Sequence, residues 1–491
     1  MIRLFGSSGP DHAMADPKAA KRILEELPQD AFKALEELGD WHESVALAQG
    51  FAVAQRVQLL LLIDLAGRER VKKITRQYLL ATRQSAVQEK RLWVAAHGYW
   101  RRAGLALAQG VELFAQGAKG AESARAQLAP LLAQCLHAQA QQIKWSSLRY
   151  GPVDPSAWGM LNRVYAFAEA RGVQAEPKAE YLRALAFGAC AAEGLLPAEI
   201  AVTEQLIARL AGAFRIEREG AADLAFWTDL QQAMPPSRIA RAPQPAAGLR
   251  FFGVGAALGE LEALAGRTRA TRAVPADLEL GVPMEPDEFL ALLGHLARNW
   301  SPQAPDRRHP RHSVKSRLGV ANGLEGVIGV LGQSDSLAFD GSDVESWVIE
   351  NVSAGGFGAL VSQLKGDWLR VGAMVAVQPE GGKNWVIGLV RRVSKTASQQ
   401  ARVGIETLSR APVVSQFALS GAGTQETGVL LRSPDPAAAD VSIALRPGVF
   451  VAGRNLEAED AGRQHVYMPM ALALRGEDYE IGRFRGMVRD A

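Results

Sequence analysis

Between Asp16 and about Arg215, apolar residues recur at intervals of three and four, as in LEELPQDAFKALEELGDW and QLIARLAGAF, with Glu, Gln, Lys and Arg between them. That period lines one face of an α-helix, and the abundance of Ala, Leu, Glu and Gln favours the same state. The spacing therefore predicts an all-helical region. Its longest segment, from about Trp41 to Gly98, passes through Val71, Ile74 and Leu79 and suggests long antiparallel helices. Breaks are expected near Gly98, at Gly117–Gly120 and at Gly151–Pro155.

Trp158, Leu161 and Tyr165 have the spacing of the first helix of a tetratricopeptide repeat, but no echo follows at about 34 residues. An aromatic stripe packing one helix on the next is the simpler reading. The stretch LRFFGVGAALGELEAL, 249–264, predicts a strand, a glycine turn and a helix. Its glycines are misspaced for a dinucleotide fingerprint, and no second strand with an acidic end follows. Pro, Ala and Arg concentrate in 234–248, which reads as a linker.

A helix over Pro286 to Trp300 is followed by SPQAPDRRHPRH, whose prolines stop it and start an extended arm. The pattern then changes to short β-branched runs: GVIGVL, SWVIENV, MVAVQP, NWVIGLVRRV and RVGIETL, separated by Gly, Asp, Ser and Asn. Such runs predict a small β-barrel or sandwich. Four more, GVLLR, VSIAL, GVFVAG and HVYMPMALAL, extend the β pattern towards the last residues. The expected fold class is multidomain α + β. It comprises an all-helical domain over 16–233, a small α/β connecting segment over 249–300, a β-barrel over 301–410 and a β extension or second β module over 411–491.

Composition narrows the function. The 55 basic and 52 acidic residues among 491 leave a formal charge of +3, so the molecule is not a polyelectrolyte built for nucleic acid or anionic lipid. Cys135 and Cys190 lie in helical stretches without His or Cys at ligand spacing, and are expected to be buried thiols of a reducing cytosol, with no metal and no cofactor. The first residues lack the basic and apolar regions of a secretory signal. The most apolar run, Val57 to Ala66, is well short of the ~20 residues of a membrane span and reads as a core helix. Cytoplasmic residence without a membrane span is expected. The eight histidines are scattered, and His309 and His312, which flank arginines of the arm without a nearby carboxylate pair or nucleophile motif, read as solvated arm residues, which argues against an enzyme.

Two short motifs carry the candidate chemistry. In DRRHPRH, Arg307 and Arg311 form an Arg-x-x-x-Arg spacing, with Arg308 between them. Guanidinium groups bond phosphates and the O6/N7 edge of guanine in bidentate fashion and stack on base faces. By itself the spacing reads equally as a basic linker, and it recurs at Arg485–Arg489 as an apparent solvated tail. The second motif, Asn351-Val352-Ser353-Ala354-Gly355-Gly356, lies between two strand-like runs. It can present amide, hydroxyl and backbone groups to a ligand, or serve as an ordinary turn.

In this order, the two motifs resemble the PilZ family, bacterial receptors of the second messenger cyclic di-GMP. The family pattern is Arg-x-x-x-Arg followed by Asp or Asn-x-Ser-x-x-Gly, and the resemblance continues through WLRVGAMVAV and GLVRRV to RVGIETL, covering 306–408. It implies that Arg307, Arg308 and Arg311 clamp the phosphates and guanine faces, with Asn351, Ser353 and Gly356 on the opposite side. About 40 residues separate the motifs, so QSDSLAFDGSD is expected to form a longer loop. Where many family members place a tryptophan, this chain has Arg391, which can substitute cation–π or planar stacking. The resemblance implies a non-enzymatic cyclic di-GMP receptor, and the place of the arginines between the helical and β portions suggests that binding reorients the helical region, which then meets an unidentified protein partner. The alternative is a degenerate PilZ scaffold acting only through protein–protein interaction.

Overall fold

The computed structural model describes residues 10–80, 85–173, 175–241, 243–304, 309–332, 344–396, 398, 400–420, 423–432, 440–460 and 463–488. They divide into two compact units. The first holds the described residues of 10–149, 153–192 and 197–304; the second holds 150–152, 193–196 and those from 309 onward.

The first unit opens with α1 (Pro17–Glu25), α2 (Ala31–Leu47), α3 (Val53–Leu80), α4 (Ala86–Ala115), α5 (Leu128–Ser147), α6 (Pro155–Ala170), α7 (Ala175–Gly188) and α8 (Pro197–Leu210). Starts are set by local chemistry. The side chains of Asp16, Asp30, Ser85 and Asp154 accept hydrogen bonds from backbone amides of the first turns of α1, α2, α4 and α6, and Pro155 opens α6. α4 runs straight through Gly98, where a break was expected, because a glycine inside thirty helical residues costs only ~1 kcal/mol against the packing of the whole helix. The expected breaks at Gly117–Gly120 and Gly151–Pro155 are present, and Gly117 and Gly120 both have positive φ. Val57, Leu59, Leu60 and Ile63 of the apolar run are buried in α3. Among the described residues no helix is long and apolar enough to cross a membrane.

The aromatic stripe of α6 is packing, as read from sequence: Tyr165 stacks on Tyr181 of α7 with ring centroids 4.1 Å apart. Cys135 and Cys190 are buried and not joined in a disulfide, and burial pushes the Cys135 thiol up to about 12. The unit closes with a four-stranded antiparallel sheet in the order β1 (Arg215–Glu217), β4 (Leu249–Gly253), β2 (Phe226–Asp229), β3 (Ser237–Arg238), followed by α9 (Ala257–Thr271) and α10 (Pro286–Trp300). Strand, glycine turn and helix thus follow in the expected order over 249–264. β4 pairs antiparallel with both neighbours, so this is not a dinucleotide fold. Within 234–248, β3 pairs with β2, and Arg238 donates to the carbonyl of Ser301 at 2.6 Å.

The second unit contains two closed six-stranded barrels. β5 (His312–Asn322) is followed by α11 (Gly323–Gly332), then β6 (Glu345–Ser353), β7 (Gly356–Val361), β8 (Met374–Pro379), β9 (Val386–Lys395) and β10 (Ala401–Ser409). The first barrel closes in the order β10-β7-β6-β5-β8-β9. Leu318, Trp347, Ile349, Val390, Val403 and Ile405 fill it together with Tyr150. Buried Glu345 accepts the indole N–H of both Trp347 and Trp368 at 2.9 Å. The second barrel joins β11 (Pro412–Leu419), β12 (Gln425–Leu431), β13 (Asp440–Leu445), β16 (Glu480–Val488), β15 (Arg463–Arg475) and β14 (Leu456–Asp460), around Phe417, Ile443, Tyr467 and Phe484.

Three expectations are corrected here. GVIGVL is not a strand but lies in α11, where Leu324 and Val327 are buried in a cluster with Met374, Ile387, Val429 and Tyr479, bringing the two barrels together. Its first turn is held by the Asp478 carboxylate, which accepts the Leu324 amide at 2.7 Å, so tertiary packing overrides the β-branched composition. GVFVAG is a turn-containing loop rather than a strand, with Gly448 and Gly453 at positive φ and the Phe450 ring edge-on to Phe484. Arg485 is not in a solvated tail: it lies on β16, opposite Asp440, with which it forms a 3.6 Å ion pair. QSDSLAFDGSD lies outside the described residues.

A candidate ligand-binding face on the first barrel

β6 and β7 form a hairpin whose turn is Ala354-Gly355, with Ser353 paired to Gly356. The Gly356 residue is required there: a Cβ at this position would run into the carbonyl oxygen of Ile405 on β10. Both turn carbonyls are held, that of Gly355 by the Thr407 amide at 3.0 Å and that of Ala354 by Arg410 at 2.9 Å. The Ser353 hydroxyl faces the Gly356 carbonyl at 3.4 Å, a long contact that leaves it little committed. A register shift between Ile349 and Asn351 turns the half-buried Asn351 side chain over Gly358, where a Cβ would stand 2.6 Å from its amide nitrogen.

The register carries this turn into a larger surface. Ser313 pairs with Asn351, Asn351 with Gly358, Gly358 with Gly404, and Gly404 with Arg392, giving one row across five strands. Its flanking residues Val403 and Ile405 point into the barrel core, so the row lies on the outer face. At its centre are two consecutive glycines, a strip of bare backbone bounded by Asn351 and Arg392. On one side of the row Arg402 pairs with Glu350 at 3.5 Å. On the other, Arg391 occupies the extra position of a β-bulge between β9 and β10 and pairs with Glu406 at 2.6 Å, Glu406 itself lying opposite Gly356.

Arg311 is exposed and immediately precedes His312, the residue paired with Val352. The end of the arm therefore lies beside β6. His309, read from sequence as a solvated arm residue, is exposed but has its ring near the turn: a Cβ on Gly355 would be 3.0 Å from its Cδ2. Arg307 and Arg308 lie outside the described residues. Of the residues singled out from sequence, the fold gathers Arg311, Asn351, Ser353, Gly356 and Arg391 around one end of one barrel face. Sequence reading missed Gly358, Gly404, Arg392, Arg402 and Arg410. The glycines were visible in GFGALV and RVGIETL, but only strand register shows that they are neighbours.

Residues 18–222 match the family model for the N-terminal domain of the cyclic-di-GMP receptor FimW, and residues 340–412 match that for its middle PilZ domain. Together the matches cover more than half of the 491 residues. The second takes in β6 to β10, with Asn351, Ser353, Gly356 and Arg391, and begins after the arm that carries Arg311. No curated protein matches the chain. A helical region of the FimW type, followed by a PilZ barrel that retains Asn-x-Ser-x-x-Gly in its β6–β7 turn, identifies this chain as a member of the FimW family of cyclic-di-GMP receptors.

Proposed function

We propose that cyclic di-GMP binds on the outer face of the first barrel, over the Gly358–Gly404 strip, with Arg307, Arg308 and Arg311 closing over it from the arm. The observation that carries this is the cross-strand row Asn351–Gly358–Gly404–Arg392. Two adjacent strand positions without side chains let a planar base approach the sheet closely. Asn351 and Ser353 can bond the base edge and ribose-phosphate from one end, while Arg391 and Arg392 supply charge for the phosphates at the other. The arm guanidinium groups can stack on the exposed guanine and bond its O6/N7 edge. Nothing in this arrangement needs a cofactor or a catalytic step.

Calorimetric titration of the full chain with cyclic di-GMP tests the assignment. Gly404→Val places a branched side chain on the outer face, where, among the described residues, the only close neighbour of its Cβ is the Arg392 Cβ at 3.4 Å, so the barrel is expected to keep its stability. Binding to this variant should weaken by at least about tenfold, or ~1.4 kcal/mol, and Arg311→Ala should weaken it similarly. Wild-type affinity in Gly404→Val contradicts the site. No binding by the unaltered chain supports the scaffold alternative instead.

The arm 301–312 joins the end of α10, in the first unit, to the start of β5, in the second. A ligand that binds the arm and the barrel together shifts the population towards arrangements in which the arm is closed, and so reorients the helical region that presents a surface to a protein partner. Small-angle scattering at saturating cyclic di-GMP should differ from that of the free chain. An unchanged profile contradicts the coupling while leaving the binding site standing.

A further inference from the structure

The first unit encloses a recess that the barrel face does not use. It has a volume of about 700 Å³ and opens among α3, α5, α7 and α8, with Trp100 of α4 and residues 280–282 completing the wall. Every lining residue belongs to the first unit. Most of the wall is apolar, including Val71, Ile143, Phe187 and Ile207. This size and lining are those of sites that enclose a drug-sized molecule and orient it with a few polar groups.

The polar groups are strongly biased in sign. Five lysines and arginines line the recess, Arg68, Lys72, Arg76, Lys144 and Arg183, against two carboxylates, Glu180 and Glu204, leaving a formal surplus of +3. Counting Asp64, 3.7 Å from Arg68, and Glu69, 2.7 Å from Lys72, as further neighbours still leaves +1. Both lining carboxylates are already engaged. Glu204 accepts from buried Lys144 and Gln141; Glu180 accepts from Arg183 at 2.6 Å and is 3.2 Å from His137. Burial would raise both carboxyls, but Lys144 beside Glu204 and His137 beside Glu180 outweigh it and hold them below the usual range. Burial would likewise lower His137, yet Glu180, Glu204 and Asp64 carry it above the ordinary histidine value. Arg68, beside Asp64, Lys72, beside Glu69, and Arg76 are spaced four apart along one face of α3, so the surplus positive charge that an incoming anion meets is carried by this row.

We propose that this recess is a second ligand site, for a small organic anion that carries a carboxylate, sulfonate or phosphate on an apolar, drug-sized body. The apolar walls take the body, and the α3 cations take the head group at the mouth. The site is independent of the barrel face.

The full chain titrated with 1-anilinonaphthalene-8-sulfonate tests this, with N-phenyl-1-naphthylamine as the same aromatic skeleton without the charge. The sulfonate should bind with one equivalent, about tenfold more tightly than the neutral probe, and should stay bound when cyclic di-GMP saturates the barrel. Arg76→Glu, an exposed substitution, should weaken the sulfonate by about fivefold or more and leave the neutral probe within about twofold. Ala140→Trp, directed into the recess from α5, should abolish both signals with helical circular dichroism unchanged. Equal affinity for the two probes, indifference to Arg76→Glu, or displacement by cyclic di-GMP would overturn the proposal. Should Ala140→Trp fail to fold, Arg76→Glu alone decides.

Discussion

On the proposed ligand face, Glu406 is the carboxylate that would oppose a phosphate. It stands opposite Gly356 and holds Arg391 at 2.6 Å, in a pair whose two side chains are each about half exposed. Exposed pairs of this kind are worth roughly 0–1 kcal/mol, so a diester phosphate can take the guanidinium from the carboxylate. The pair ties Arg391 to β10 at the bulge and leaves a negative charge beside the proposed site. Glu406→Gln removes that charge and keeps the side-chain size, and should tighten cyclic di-GMP binding about two- to fivefold at low salt, with the gain shrinking as ionic strength rises. Titrations at two salt concentrations check this. An unchanged or weaker affinity would mean that Arg391 does not meet the ligand, and that its occupation of the usual tryptophan position has another cause.

At the level of elements, periodicity identified what local chemistry decides and failed where distant packing decides. SWVIENV, MVAVQP, NWVIGLVRRV and RVGIETL are β6, β8, β9 and β10; β6 and β10 alternate with a two-residue period, whereas β8 and the first half of β9 are buried on both faces and are legible as continuous β-branched apolar runs. GVIGVL carries the same β-branched residues, yet its neighbours are the outer faces of two barrels and a carboxylate that caps it, and it becomes helical. No window of sequence contains Asp478 and Leu324 together. β7 went unread because GFGALV is half glycine and alanine, a poor strand by propensity, while the glycine content is what clears the candidate face. The site was legible as far as its motif residues reached. Asn351, Ser353 and Gly356 lie in a local turn, whereas Gly358 and Gly404 meet only through the β7–β10 register. Arg391 was picked out by its place in the family pattern, but its partner Glu406 needed the bulge.

Across the whole molecule, a near-neutral balance of charge conceals local concentrations of cations. The +3 of the chain says nothing of Arg391, Arg392 and Arg402 beside a glycine strip on the barrel, ion-paired with Glu406, Glu193 and Glu350 respectively, nor of Arg68, Lys72 and Arg76 along one face of α3. Each cluster lies against a surface that spares a ligand steric cost: bare backbone in one unit, an apolar recess in the other. The arm between α10 and β5 links the two units in the chain and carries the arginines, and in the proposed coupling it is through this connection that a barrel ligand would act on the helical region. Amide hydrogen exchange of the full chain, with and without the saturating messenger, tests most directly where cyclic di-GMP is held. Slower exchange in peptides covering the 353–358 turn, the 402–407 stretch of β10 and the end of the arm at 309–312 is the predicted result. Protection confined to the helices or the second barrel, with these three segments unchanged, would contradict it.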